Sequence, residues 1–288
     1  MLKKRIAANL VVKDGIVVQS INFRKHLPVG KPAIAVEFLN QWGIDEIILT
    51  DITATSIRRP PDFNMIKAAS HKCYVPLTVG GGITEIDHIK ELMHCGADKI
   101  SLNQSAIHQS ELITKAAHIF GNQCIVISID AVKDHGTYKV YDYINKKPLN
   151  MSPAEFVRNV QDLGAGEILI NSVDRDGSYL GYDIDLINSV CEVAQVPVIC
   201  CGGAKNANDF IKVLKGTKVS AASAANFFHF TEHSVNTTKA NIRNAMDVRL
   251  ETFADYSEAS FDSELRLQKK PDGILEEMLF IKIEKEVI

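Results

Sequence analysis

The sequence predicts an α/β fold, a single (β/α)8 TIM barrel made of two similar halves with a C-terminal extension. Three observations predict it. Eight apolar runs, at about 6–12, 46–52, 75–79, 98–102, 124–130, 167–173, 196–201 and 218–223, read as buried strands. Helix-period segments such as Glu85 to Cys95 lie between most of them, and strands alternating with helices build right-handed βαβ units. The stretch Pro76-Leu77-Thr78-Val79-Gly80-Gly81-Gly82-Ile83 also recurs as Pro197-Val198-Ile199-Cys200-Cys201-Gly202-Gly203-Ala204. Gly81 and Gly202 are 121 positions apart, as are Asn103 and Ala224, so the repeat extends beyond one motif. Eight units in 288 residues fit a closed barrel, with an open doubly wound sheet as the alternative.

In a barrel the chemistry sits at the carboxyl ends of the strands, so each strand is read from its last residue outward. The first ends Asn9-Leu10-Val11-Val12-Lys13-Asp14-Gly15 and the fifth ends Ser128-Ile129-Asp130-Ala131, with Asp130 aligned to Val11. A carboxylate leaving a buried strand at the mouth is a candidate general acid or base; capping the next turn is the other role open to it. Asp51 closes the second strand and Asp176-Gly177 follow the sixth. These aspartates either bind hydroxyls, with the Gly177 N–H on a phosphate, or cap βα loops. The glycines after the third and seventh strands either let backbone N–H groups approach an anion or form plain tight turns. At the opposite ends of the strands stand Arg5, Glu46, Lys99 and Glu167, two bases and two acids from the first, second, fourth and sixth strands. That face usually serves stability; a gate over an axial channel is the second reading.

A helix-like stretch from Ser234 to about Met246 closes the barrel, which gives a domain over 1–248. Residues 249–288 form an extension too short to bury its own core. It packs on the barrel, covers a partner or stays a tail. It contains a turn at Lys270-Pro271-Asp272-Gly273 and the apolar run Met278 to Ile283.

Composition narrows the function. The chain is 46% hydrophobic and 23% charged with a net charge of −3, which argues against a broad nucleic-acid footprint. Six cysteines lie in or beside apolar runs without metal spacing and read as reduced, buried side chains in a cytoplasmic protein. No metal or cofactor is expected. No uninterrupted apolar stretch approaches a membrane span, and no signal sequence is evident.

Lys4-Arg5-Ile6, Val12-Lys13-Asp14-Gly15, Asp51-Ile52-Thr53-Ala54, Leu77 to Ile83, Gly96-Ala97-Asp98-Lys99 and Asp174-Arg175-Asp176-Gly177 together resemble the cyclase subunit of imidazole glycerol phosphate synthase, from Met1 to about Arg249. The resemblance implies a barrel with internal half-barrel duplication that pairs with a glutaminase subunit as a heterodimer. It also implies that the barrel conducts ammonia along its axis to a two-phosphate ribonucleotide of histidine synthesis. By position, it implies one phosphate site at Gly81, Gly82 and Asn103, and another at Asp176, Gly177, Gly202, Gly203, Ala224 and Asn226. Arg5, Glu46, Lys99 and Glu167 match the family's ammonia gate, Asp98 its glutaminase-facing residue, and Asp130 one of its two catalytic aspartates.

The departures fall on the chemistry. Val11 stands where the second catalytic aspartate belongs, Gln19 where a mobile-loop lysine belongs, and Asn226 where a serine belongs. An intact ammonia entrance below an altered reaction centre resembles the paralogues of bacterial surface-polysaccharide pathways, in which ammonia converts an N-acetyl sugar into an acetamidino sugar. That resemblance implies a phosphorylated sugar ligand and an ATP-using amidotransferase as a further partner. A histidine-pathway cyclase and a non-catalytic scaffold for the glutaminase are the alternatives.

Overall fold

A computed structural model describes residues 3–229, 233–249, 256 and 259–277. Eight parallel strands form a closed ring: Arg5–Lys13, Glu46–Asp51, Leu77–Gly80, Lys99–Leu102, Ile125–Asp134, Glu167–Ser172, Val198–Cys201 and Ala221–Ala224. Each pairs with its neighbour, and the eighth pairs with the first through Arg5↔Ala221 to Ala8↔Ala224. This is the barrel rather than the open sheet. The predicted runs match the eight strands to within a few residues.

Alternation along each strand separates two apolar regions. Ala7, Ile48, Val126, Leu169, Ile199, Cys201 and Ala221 pack inside the ring. Ile6, Leu10, Ile47, Leu49, Ile100 and their neighbours face outward, under the helices. Alanines, a cysteine and branched aliphatic side chains together fill the narrow interior of the eight-stranded barrel.

Two hairpins that the apolar pattern did not predict rise from equivalent places. Ile16–Ile21 and Lys25–Gly30 follow the first strand, and Thr137–Asp142 and Lys147–Pro148 follow the fifth. Each starts at a turn whose two central residues have positive φ, Asp14-Gly15 and His135-Gly136, the requirement of a two-residue hairpin turn. Lys25–Gly30 and Lys147–Pro148 are largely exposed, Thr137–Asp142 is largely polar, and Ile16–Ile21 turns polar after three apolar residues, so these stretches lack the continuous apolar run of a buried parallel strand.

The pairing also fixes how the halves superpose. Glu46 pairs with Ala7 and Glu167 with Val126; four residues on, Thr50 pairs with Val11 and Asn171 with Asp130. Val11 and Asp130 therefore occupy the same register position. The hairpin turn begins three residues after Val11 but five after Asp130, so the fifth strand carries two extra residues above that level.

The helix Ser234–Arg243 closes the barrel with a buried ion pair, Lys239 Nζ to Asp45 Oδ1 at 2.6 Å. The ammonium also bonds the Gly43 carbonyl, while Asp45 Oδ2 accepts the Ile6 N–H at 2.8 Å, tying the last helix to the first strand. Beyond it, Val248 bridges to Lys4, Tyr256 meets the His233 ring edge-on, and Glu264 pairs with Lys205 at 3.4 Å. Of the described part of the extension, Tyr256 and Glu264 thus touch the barrel at two separate places. Asp272–Glu277 is helical where the sequence suggested a turn, because Pro271 presents its carbonyl to the Ile274 and Leu275 N–H groups. The run Met278 to Ile283 lies outside the described residues. Among the described residues no helix is long and apolar enough to cross a membrane.

Removing one partner of a buried pair leaves an uncompensated charge. Lys239→Ala is expected to cost about 3–5 kcal/mol, read as a lowered urea midpoint, whereas Lys239→Met, which also leaves Asp45 unpaired but fills the space, costs less.

Candidate active site at the barrel mouth

A ring of four charges closes the lower end of the barrel. Arg5 bonds one oxygen of Glu46 and one of Glu167; Lys99 reaches the other oxygen of each, at 3.0 and 2.7 Å. Burial opposes the positive charge on Arg5 and Lys99. The two carboxylates outweigh it, and both pKa values are raised. Thr78 Oγ1 donates to Glu46 at 3.3 Å. All four predicted gate residues are therefore in mutual contact across the axis. Asp98 lies on the same lower face, exposed, with its carboxylate accepting the Leu77 N–H at 2.8 Å.

Above the ring come the small apolar residues of the interior, and above them a polar floor. Asp130 is 6% exposed and accepts two amide hydrogen bonds, from Asn103 Nδ2 at 3.0 Å and from Asn171 Nδ2 at 3.3 Å. Asn103 also donates to the Ser128 carbonyl at 3.1 Å and accepts from Gln104. Both amides are thereby oriented to hold the carboxylate. Across the floor Asn9, 8% exposed, donates to Cys201 Sγ at 3.6 Å; its Oδ1 has no partner among the described residues. Val11 lines the wall at the level of Asp130.

The floor opens into a cavity of about 1800 Å³ at the carboxyl ends of the strands. Its rim carries Arg58, Arg59 and His88 on one side and Lys13, Arg24 and His26 on the other. The arginines on one shoulder and Lys13 and Arg24 on the other suit an anionic ligand, while burial and Lys13 lower the pKa of His26. Gly81, Gly82, Asn103, Asp176, Gly177, Gly202, Gly203, Ala224 and Asn226 all line it.

Asp51 does not line it. Its Oδ1 accepts the Thr53 and Ala54 N–H groups at 3.0 and 3.1 Å and its Oδ2 pairs with Arg59 at 2.6 Å, so of its two sequence roles the structure displays helix capping. The repeated glycines have a packing reason too. A Cβ on Gly81 would stand 2.1 Å from the Asp51 carbonyl oxygen, and one on Gly202 would stand 2.9 Å from that of Ser172, the equivalent residue 121 positions later. The two halves use the same close approach.

The first hairpin folds onto the second half's loops. Asn226 bonds both backbone groups of Ser20, accepting from its N–H at 3.1 Å and donating to its carbonyl at 2.6 Å. Asp176 Oδ2 accepts from Ser20 Oγ at 2.6 Å and from the Phe23 N–H at 3.1 Å. Asn226 is therefore occupied as a clamp on the hairpin, a use its extra length over serine permits. Gln19 donates to Tyr179 Oη at 3.2 Å beside the cavity. From the second hairpin, Tyr143 lines the cavity.

Asn9, Asn171 and Ser20 are the contributors that sequence reading passed over. The first two left a signal: each is an amide at an inward position of an otherwise apolar strand, where a buried polar group needs a partner. Ser20 left none, since its role depends on where the hairpin folds.

Burial pushes the Asp130 carboxyl up to about 7, against the donation from Asn171 and Asn103, with the nearby Asp176 adding to the rise. A group poised there exchanges protons near neutrality. Its folded pKa lies above the ordinary 3.8, so its contribution to stability is complete below that value and is lost as pH rises through about 7. Carboxyl-carbon NMR is expected to show one aspartate titrating near 7 that disappears in Asp130→Asn; a midpoint near 4 would sink this assignment.

Comparison with known proteins agrees with this architecture. Residues 5–234 match the family described as histidine biosynthesis protein. A Vibrio vulnificus (strain YJ016) protein, provisionally named imidazole glycerol phosphate synthase subunit hisF2, is 42% identical over 91% of this chain and 97% of its own. Imidazole glycerol phosphate synthase subunit HisF of Streptococcus mutans serotype c (strain ATCC 700610 / UA159) is 39% identical over 86% of this chain and all of its own length. By fold, motif order and likeness along most of its length, the chain belongs to the histidine biosynthesis protein family, among the relatives of the imidazole glycerol phosphate synthase HisF subunits.

Proposed function

We propose that this protein is the ammonia-accepting synthase subunit of a glutamine amidotransferase complex, and that it serves amidination of a phosphorylated N-acetyl sugar in surface-polysaccharide biosynthesis. The observation that carries the reading is the register of Val11 with Asp130. The first half presents an isopropyl group where the second presents a carboxylate, so this level of the mouth has one carboxylate where the family's cyclisation is expected to use two. Losing one member of an acid/base pair removes roughly 10²–10⁴-fold in rate.

In this reading a glutaminase docks on the lower face around Asp98, and ammonia passes the ring of Arg5, Glu46, Lys99 and Glu167 into the bore. The cationic shoulders hold the ligand's phosphates, at Gly82 and Asn103 on one side and at Gly177, Gly203 and Ala224 on the other. An acetamido oxygen leaves poorly. ATP-dependent phosphorylation of that oxygen by a partner amidotransferase makes phosphate the leaving group, ammonia adds to the carbon, and Asp130 takes a proton from the attacking nitrogen.

The second reading is a histidine-pathway cyclase, favoured by the names of the relatives. Purified protein given the histidine-pathway ribonucleotide and saturating ammonium separates the two. No turnover is expected from folded protein, while robust turnover would restore the cyclase and make Asp130 sufficient. With a glutaminase bound, Lys99→Met is expected to lower product formed per glutamine hydrolysed by opening the ring to solvent; an unchanged ratio would remove the gate from the proposal.

A further inference from the structure

The amide of Asn9 is a group that none of the roles above uses. It is more than nine-tenths buried, it lines the cavity, and its Oδ1 has no partner among the described residues. A buried acceptor without a donor costs about 1–3 kcal/mol. Its place is defined by the barrel's register. Asn9 bonds Cys201, Cys201 pairs with Asn171, and Asn171 pairs with Asp130, so one arc of the ring carries both ends of the floor. The first and fifth strands lie opposite each other in a ring of eight, and a barrel of that size is just wide enough inside for side chains or one small group.

Across that width stand two acceptors. Asp130 offers two oxygens; Asn103 and Asn171 each donate one hydrogen bond, one to each oxygen, which leaves further acceptor capacity on both. Two buried acceptors facing one volume are satisfied together by a group rich in N–H donors. The wall beside them is Val11, which adds apolar surface and no second negative charge. The floor therefore matches a planar monocation with several N–H groups and a small alkyl substituent.

We propose that this floor is a subsite for an amidinium-type group, held between the Asn9 carbonyl oxygen and the Asp130 carboxylate with its alkyl substituent against Val11. The inference deepens the functional reading above, since an amidine is the group that amidination creates. Ammonium arriving through the bore shares the same donor chemistry and is the other source of such a ligand.

The test is binding of acetamidinium chloride to the purified full chain at a pH above the Asp130 midpoint, followed by calorimetry and ligand-detected NMR at constant ionic strength, with acetamide and ammonium chloride as comparisons. Acetamidinium is expected to bind at least about tenfold more tightly than acetamide, which is isosteric but neutral, a difference of about 1.4 kcal/mol. Asn9→Leu and Asp130→Asn are each expected to weaken it by about tenfold or more, and Asn9→Asp to retain it. Asn9→Ser, which keeps polarity but shortens the reach, is the second variant should Asn9→Leu fail to fold, and is expected to weaken binding as well. If ammonium displaces acetamidinium at equal concentration, the subsite receives the incoming nitrogen; if it does not, the subsite holds the product amidine. Equal binding of acetamide, unchanged binding in the folded Asn9 variant, or no binding of any probe would overturn the proposal. Amidination without acetamidinium binding would remove the subsite alone, and acetamidinium binding without amidination would remove the functional reading alone.

Discussion

Pairing of the eighth strand with the first joins eight parallel strands into a ring, and a ring has an interior that only side chains can fill. Because side chains alternate along a strand, every second residue must point inward, and the narrow bore limits what those residues can be. At the lower end they are four charges, in the middle alanines and branched aliphatics, and at the upper end amides around one carboxylate. The charged ring is tolerated because each carboxylate meets both cations. A buried charge is retained only where pairing offsets the loss of hydration. One geometric constraint therefore places an ion-pair ring, an apolar collar and a buried carboxyl group on one axis.

The two halves keep the same scaffold and diverge at the mouth. Gly81 and Gly202 each let a loop pass against the backbone of the preceding strand's end, so that part of the repeat is fixed by packing. Val11 and Asp130 stand at one register level with opposite chemistry, and the first hairpin is clamped down through Asn226 and Asp176. The first half thus supplies an apolar wall and a fixed cover, while the second supplies the acid. Such asymmetry suits a pocket that holds a ligand in one orientation.

The glycines illustrate how a motif can carry two meanings at once. Their lack of a side chain is required because a Cβ would stand 2.1 and 2.9 Å from backbone oxygens, whatever binds above them. The same turns also line the cavity, and the shoulders beside them carry cations. Packing accounts for the residue type; the surrounding charge motivates the anion-binding role. Asp51 shows the converse, a residue in a mouth motif whose oxygens are both taken up by a helix N-terminus and Arg59.

From the sequence alone, the barrel, its internal repeat, the four charges at the lower ends of the strands and the place of Asp130 at the mouth were legible, because a buried parallel strand writes itself as an apolar run and the repeat spacing orders the runs. The equivalence of Val11 with Asp130 was legible for the same reason. What only the tertiary structure decided is which polar atoms meet: that Asn9 and Asn171 share the floor with Asp130, that Asp51 turns into its own loop, and that Asn226 grips Ser20 from 206 residues away. Hairpins at the rim follow turn geometry rather than apolar periodicity. Hydrogen bonds are directional and short, so they depend on angles that strand order does not carry, whereas burial depends on pattern, which it does.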